Sequence, residues 1–265
     1  MRECSPARAL RGPDVVTTSE GTKKWLLRGL SVVLVLVAWQ LIGSRINPIF
    51  LSTPSAIAHA FAAVARDGEL PKALGVSVGV VLAGFAVATL IGVPIGLFMG
   101  WFRTFEYLID PYVNALYVVP RIALIPLIII WFGLGVPAQI VVVFGTSVFP
   151  ILLSTYAGVR NVPNDLVETA HAFGANRRQL FYSIIVPSSV PFIMSGLRLG
   201  IGQAIIGMVV AQMFLGLSGM GFMLTKYGNM FETAYVFVVV LALAALGIVM
   251  TEGVKRMERR FSSWK

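Results

Sequence analysis

The chain has 265 residues, 57% of them hydrophobic and 12% charged, with a mean hydropathy of +0.84. A soluble domain carries about twice that charged fraction, so the composition excludes an ordinary soluble globule and points to a membrane protein. The net charge of +9 does not indicate nucleic acid, because the basic residues flank apolar runs instead of forming a face with aromatics. The single Cys4 excludes an internal disulfide, and His59 and His171 lie too far apart in sequence to suggest a metal cluster.

Residues 1–24 are polar and read as a mobile cytoplasmic tail. Lys23, Lys24 and Arg28 then flank an apolar run over about 25–43. It exceeds a signal-peptide core, and Ser44-Arg45-Ile46-Asn47-Pro48 offers no small-x-small cleavage site, so an uncleaved first span is expected. Leu51-Ser52-Thr53-Pro54-Ser55, followed by Ile57, Ala60, Phe61 and Val64, predicts a capped amphipathic helix on the far side. A second span is expected over about 74–100, where Gly92, Gly96 and Gly100 recur every four residues and suit close helix contact.

A short polar connection with Arg103, Glu106 and Asp110 leads to a third span at about 113–132, which Pro120 and Pro126 should kink. Gly133-Leu134-Gly135-Val136-Pro137 separates it from a fourth span at about 138–159. A fifth follows at about 190–214 and a sixth at about 233–251, with 216–232 a glycine-rich external segment between them; residues 261–265 form a C-terminal tail. The chain is therefore expected to be all-α and polytopic, with six transmembrane helices. With the N-terminus inside, the cytoplasmic segments hold about 15 of the 21 Lys and Arg, and both termini are cytoplasmic.

The polar stretch 160–187 interrupts this pattern. Leu166, Val167, Ala170 and Phe173 fall at helical spacing on one face. Gly174 is a natural terminator, Asn176 can cap a second short helix through Leu180, and Pro187 is expected to end it. Helix, glycine turn and helix between two spans make a docking element for a soluble partner.

Glu168-Thr169-Ala170, three residues, Gly174, nine residues and Ile184-Ile185-Val186-Pro187 resemble the EAA loop of ABC importer permeases, with Thr169 and Val186 as conservative departures. The resemblance extends over roughly 25–260. Leu51-Ser52-Thr53-Pro54-Ser55 is similar to an element after the first span of the nitrate/sulfonate/taurine/bicarbonate subfamily, with Thr53 in place of a proline. Val119-Pro120-Arg121-Ile122-Ala123-Leu124-Ile125-Pro126-Leu127, followed by Trp131-Phe132-Gly133-Leu134-Gly135, looks like another of its signatures.

The resemblance implies a type I ABC importer permease fold in the bacterial inner membrane. It implies a pair of permease copies, two ATP-binding cassette subunits below and a periplasmic or lipoprotein substrate-binding protein above. The ATPases bind ATP and Mg; this chain is expected to need no cofactor and no metal. It also implies coupling through Glu168, Thr169, Ala170, Phe173, Gly174 and Pro187: the glutamate as acceptor for the partner, the alanine permitting close approach, the glycine setting the turn. Gln212 stands where relatives commonly have glutamate.

The residues themselves agree with an external energy source. The sequence has no G-x-x-x-x-G-K-[ST] phosphate loop, no carboxylate inside an expected span and no catalytic constellation. Among polar residues in the spans, Arg121 is a candidate for an anion pathway; Ser195, Arg198 and Gln212 fall along one face of the fifth span, with Gln203 elsewhere. Arg121 and Arg198 could instead anchor the helix ends at the interface. A small anionic solute of the sulfonate, taurine, nitrate or bicarbonate class is the expected cargo. A stand-alone channel and a membrane scaffold without flux are the alternatives.

Overall fold

The computed structural model describes residues 18–261, with side chains described for 27–260. It is helical, with no strand among the described residues. Helices α1 (Thr18–Gly43), α2 (Pro54–Arg66), α3 (Glu69–Trp101) and α4 (Arg103–Val118) lead to a 3-10 turn at Arg121–Leu124. Then come α5 (Ile125–Phe132), α6 (Val136–Arg160), α7 (Asn164–Ala172), α8 (Arg177–Leu180), a π turn at Phe181–Ile185, α9 (Val186–Leu215), α10 (Met220–Asn229) and α11 (Thr233–Phe261). Among the described residues, four helical stretches are long and apolar enough to cross a membrane: Glu69–Trp101, Val136–Arg160, Arg177–Leu215 and the α11 stretch. The α4–α5 pair counts as a fifth only as a broken span, and the apolar part of α1, Leu27–Gly43, is shorter. Because α1 begins at Thr18, the end of the expected tail is helical; residues 1–17 lie outside the described residues, as do 262–265.

The core is a three-helix sandwich in which α6 lies between α3 and α9. Val81, Ala88, Val143, Ile151, Ala204 and Met208 are fully buried there. Small residues let the backbones approach. A Cβ on Gly96 would stand 2.6 Å from the Leu152 carbonyl oxygen and 2.7 Å from Thr155 Cβ. One on Gly100 would stand 2.4 Å from Val159 Cβ. The four-residue glycine spacing therefore marks the α3 stripe that meets α6. Gly96→Leu is expected to separate α3 from α6 and cost about 1–3 kcal/mol by overpacking, read as a lower unfolding midpoint in detergent. Gly75→Leu, on the same helix with open space at Cβ, is expected to change little.

Two expectations are corrected and one is extended. The 113–132 region is not a single kinked helix: the helical run starts at Arg103 and turns by 90° between α4 and the Arg121–Phe132 segment. Proline at 120 holds Val119 in extended backbone (φ −61°, ψ 125°), which ends α4, whereas Pro126 sits in the first turn of α5 and kinks nothing. Pro187 likewise does not stop a helix. It occupies the first turn of α9, and the helical path runs on from Arg177 to Leu215 through the π turn. Finally, the glycine-rich segment 216–232 contains a helix that its composition did not announce: α10 lies within it and buries Met220, Met223 and Tyr227.

Polar clamps fasten the periphery. Thr53 caps α2, its hydroxyl accepting from Ala56 N–H at 3.3 Å, while Ile57, Ala60 and Val64 face inward and Phe61 is exposed. Lys226 Nζ donates to Glu69 Oε1 at 2.6 Å, and Tyr227 donates to Glu69 Oε2 at 2.7 Å, joining α10 to the start of α3. Burial, then the neighbouring carboxylate, pushes the Tyr227 hydroxyl well above the usual phenol range, so it remains a donor. Glu106 links α4 to α6, accepting from the Tyr156 hydroxyl and standing 3.9 Å from Arg160 Nη1.

Candidate functional site

Two regions carry polar groups that the core packing does not use: the segment between α6 and α9, and a hollow beside the α4–α5 bend.

Helix α7 begins after Pro163 and ends at Phe173. Gly174 then takes φ +76°, the left-handed conformation that closes the turn, with its N–H donating to the His171 carbonyl at 2.9 Å. Asn176 and Gln179 form a reciprocal capping box, each accepting from the other's backbone N–H at 2.9 Å. The apolar face expected for α7 divides in two. Ala170 is buried against Val159, Leu180 and Ile185, and Val167 is half-buried beside them. Phe173 is 88% exposed, and Leu166 is exposed as well.

Ala170 thus makes a close approach within this chain. The Thr169 hydroxyl is also used internally, donating to the Asp165 carbonyl at 2.6 Å. Glu168 is exposed and makes no hydrogen bond or ion pair with the described residues. An unpaired carboxylate and a projecting phenyl ring on one short, well-packed helix form a polar and apolar knob.

The second region is a hollow of about 230 Å³ behind the bend. Val119, Pro120 and Arg121 form one wall, Val142 and Thr146 of α6 another, and Gln203 and Gly207 of α9 a third. Thr146 and Gln203 belong to the middle turns of their helices, so Arg121 lies beside the middle of α6 and α9. Its guanidinium carbon is 5.3 Å from the Phe149 ring centre and 5.8 Å from that of Tyr117. Nε and Nη2 of Arg121 are buried without a hydrogen-bond partner. Two buried guanidinium nitrogens with open donors thus border this small cavity.

The other candidates do not join Arg121. Arg198 is ion-paired with Glu258 of α11, in a cleft with Lys255 and Arg259. Ser195 is exposed on α9 and does not line the hollow. Gln212 is fully buried: its Oε1 accepts from Ser77 Oγ at 2.8 Å and from Gly221 N–H at 3.1 Å, while Ser77 Oγ accepts from Met220 N–H at 2.9 Å. Gln212 therefore ties α3, α9 and α10 together and has no position on the hollow. Gln212→Ala is expected to lower stability by about 1–3 kcal/mol and leave solute preference unchanged, measured by thermal unfolding beside competitive uptake. Gln203, nine residues earlier, faces the hollow instead. Nine residues turn a helix by about half a revolution beyond whole turns, so the two glutamines serve opposite faces.

The polytopic bundle is that of a membrane transport subunit, as its family and relatives show. Residues 92–263 match the family described as the binding-protein-dependent transport system inner membrane component, and the chain belongs to that family. It is 33% identical to a protein named as an aliphatic sulfonates transport permease, SsuC, of Escherichia coli, covering 91% of this chain and 94% of the relative. It is 29% identical to the taurine transport system permease protein TauC of the same organism, covering 89% and 88%. Its fold is similar to a chain of the MetNI methionine ABC transporter in an inward-facing conformation, with a TM-score of 0.66 and 18% identity over 74% of this chain and 97% of that one. The chain is a permease component of an ABC importer with the type I fold, an integral membrane protein that works with ATPase and solute-binding partners.

Proposed function

We propose that this permease forms the pathway for a small organic sulfonate and that its hollow contacts the sulfonate group through Arg121. The observation that carries the reading is the pair of buried, unpartnered guanidinium nitrogens of Arg121 beside the middle of α6 and α9. Thr146 and Gln203 complete a polar rim on otherwise apolar walls, a setting that suits a tetrahedral oxyanion on a short carbon chain. The relatives named for taurine and aliphatic sulfonates support the same class.

Two copies of the chain pair around the pathway, with two ATPase subunits on the cytoplasmic side and both termini there. Glu168, Phe173 and Gly174 make the coupling contact: the carboxylate and ring project to the ATPase, and the glycine sets their angle. Ala170 packs that segment onto the bundle, Thr169 bonds within α7, and Pro187 opens α9. Closure of the ATPases on ATP and Mg moves the segment, and the path from Arg177 into α9 carries the motion to Gln203 at the hollow.

The test is uptake of a labelled short alkanesulfonate into vesicles holding the whole transporter, with competitors. Inhibition by taurine and other sulfonates, but not by uncharged solutes of equal size, supports the reading. Equal inhibition by uncharged solutes removes it.

A further inference from the structure

A second cleft lies where the later part of the segment between α6 and α9, past the Asn176 cap, meets the end of α3. Its volume is about 260 Å³. Trp101 and Phe181 form the floor, their ring centres 5.4 Å apart. Phe98 and Phe102 stack at 6.1 Å and are each close to half exposed, with Phe105 of α4 edge-on to Phe98 at 6.3 Å. Arg177 and Arg178 stand at the rim.

Both arginines are exposed, and neither makes an ion pair or stacks on a ring among the described residues. No carboxylate lines the cleft. Glu106 of α4 is already engaged with Tyr156 and Arg160. A partly exposed aromatic floor and a rim of two guanidiniums with no ion-pair partner among the described residues match one kind of ligand. That ligand has a phosphodiester at one end and acyl chains at the other. A free phosphate ion would leave the apolar floor unfilled.

We propose that this cleft binds the headgroup of an anionic glycerophospholipid from the leaflet at that end of the bundle. The phosphate is held by Arg177 and Arg178, and the start of the acyl chains lies along Phe98 and Phe102. Arg177 and Arg178 follow the Asn176 cap and open the helical path into α9, so a bound lipid pins that joint to the end of α3. Where the coupling role given above to the preceding residues holds, the lipid also steadies coupling. Binding itself does not depend on that role.

The experiment reconstitutes the whole transporter in nanodiscs of phosphatidylcholine with a minor fraction of phosphatidylglycerol. Lipid retained after detergent extraction is counted by native mass spectrometry. The wild type is expected to retain phosphatidylglycerol over phosphatidylcholine, and Arg177→Gln with Arg178→Gln to lose that preference on the order of tenfold. Arg177→Lys with Arg178→Lys is expected to keep most of it, which separates loss of charge from loss of fold. Millimolar inorganic phosphate is expected not to displace the lipid. Equal retention by wild type and the Gln pair overturns the proposal. So does displacement by inorganic phosphate, which assigns the rim to a free anion. Loss of the ATPase from the Gln pair with lipid retention unchanged also overturns it, assigning the rim to the partner. Because retention is counted without any solute, a wrong cargo assignment leaves the result readable.

Discussion

Gly174→Val is expected to release the partner ATPase from the purified transporter while the membrane helices stay folded. Gly174 holds φ +76°, and a Cβ there would meet nothing within 4 Å. The penalty is therefore purely one of backbone conformation, about 1–2 kcal/mol for an ordinary L-residue and more for a β-branched one. The chain avoids it by opening the turn, which swings Phe173 and Glu168 away from the geometry set by α7 and the Asn176 box. Gly174→Asn is the matching control, because asparagine tolerates the left-handed region, and it is expected to retain the ATPase. Glu168→Lys tests the same contact by charge. Glu168 has no side-chain partner among the described residues, so reversal costs the fold little, and any loss of ATP-driven uptake reports on the partner. Pull-down of the ATPase together with unfolding midpoints decides both. Retention of the ATPase by both Gly174→Val and Glu168→Lys would remove the segment from the coupling contact.

Arg121→Ala is expected to reduce uptake of an anionic solute on the order of ten- to a hundredfold without loosening the ATPase. Removing a charged donor from its ligand costs about 1.5–3 kcal/mol, and each 1.4 kcal/mol is a factor of ten. Arg121→Lys keeps the charge but loses the planar fork and the stacking between Phe149 and Tyr117, so it should recover only part of the flux. Gln203→Ala is expected to shift preference among sulfonates more than overall flux, since its amide lines the hollow without carrying charge. Unchanged flux in Arg121→Ala would reduce that residue to an anchor. The readout is initial uptake rate at saturating ATP, beside substrate-independent ATP hydrolysis.

Much of this was legible in local chemistry. A glycine followed by asparagine and, three residues on, glutamine can form little other than a helix end and a new cap, and the structure forms both at Gly174 and Asn176. Glycines every four residues on an apolar run mark a contact stripe, and Gly92, Gly96 and Gly100 lie against α6. What local chemistry leaves open is direction. Pro120 announces a break, but a 90° turn depends on what the two helices then pack against. Glycines at 216, 219 and 221 read only as a glycine-rich segment, yet Gly219 and Gly221 are where α10 presses closest on α9 around Gln212. The choice between Gln203 and Gln212 rested on which face of α9 meets the bend, information that lives in the packing of α5, α6 and α9.

The central claim is that this chain moves solute only when a separate ATPase acts on it through the Glu168–Pro187 segment. The most direct measurement is uptake into proteoliposomes assembled with and without the ATPase, binding protein present in both. The account predicts uptake that requires the ATPase and ATP and is abolished by Gly174→Val but not by Gly174→Asn. Solute uptake by the permease alone, unaffected by either substitution, would contradict it and make the chain a channel.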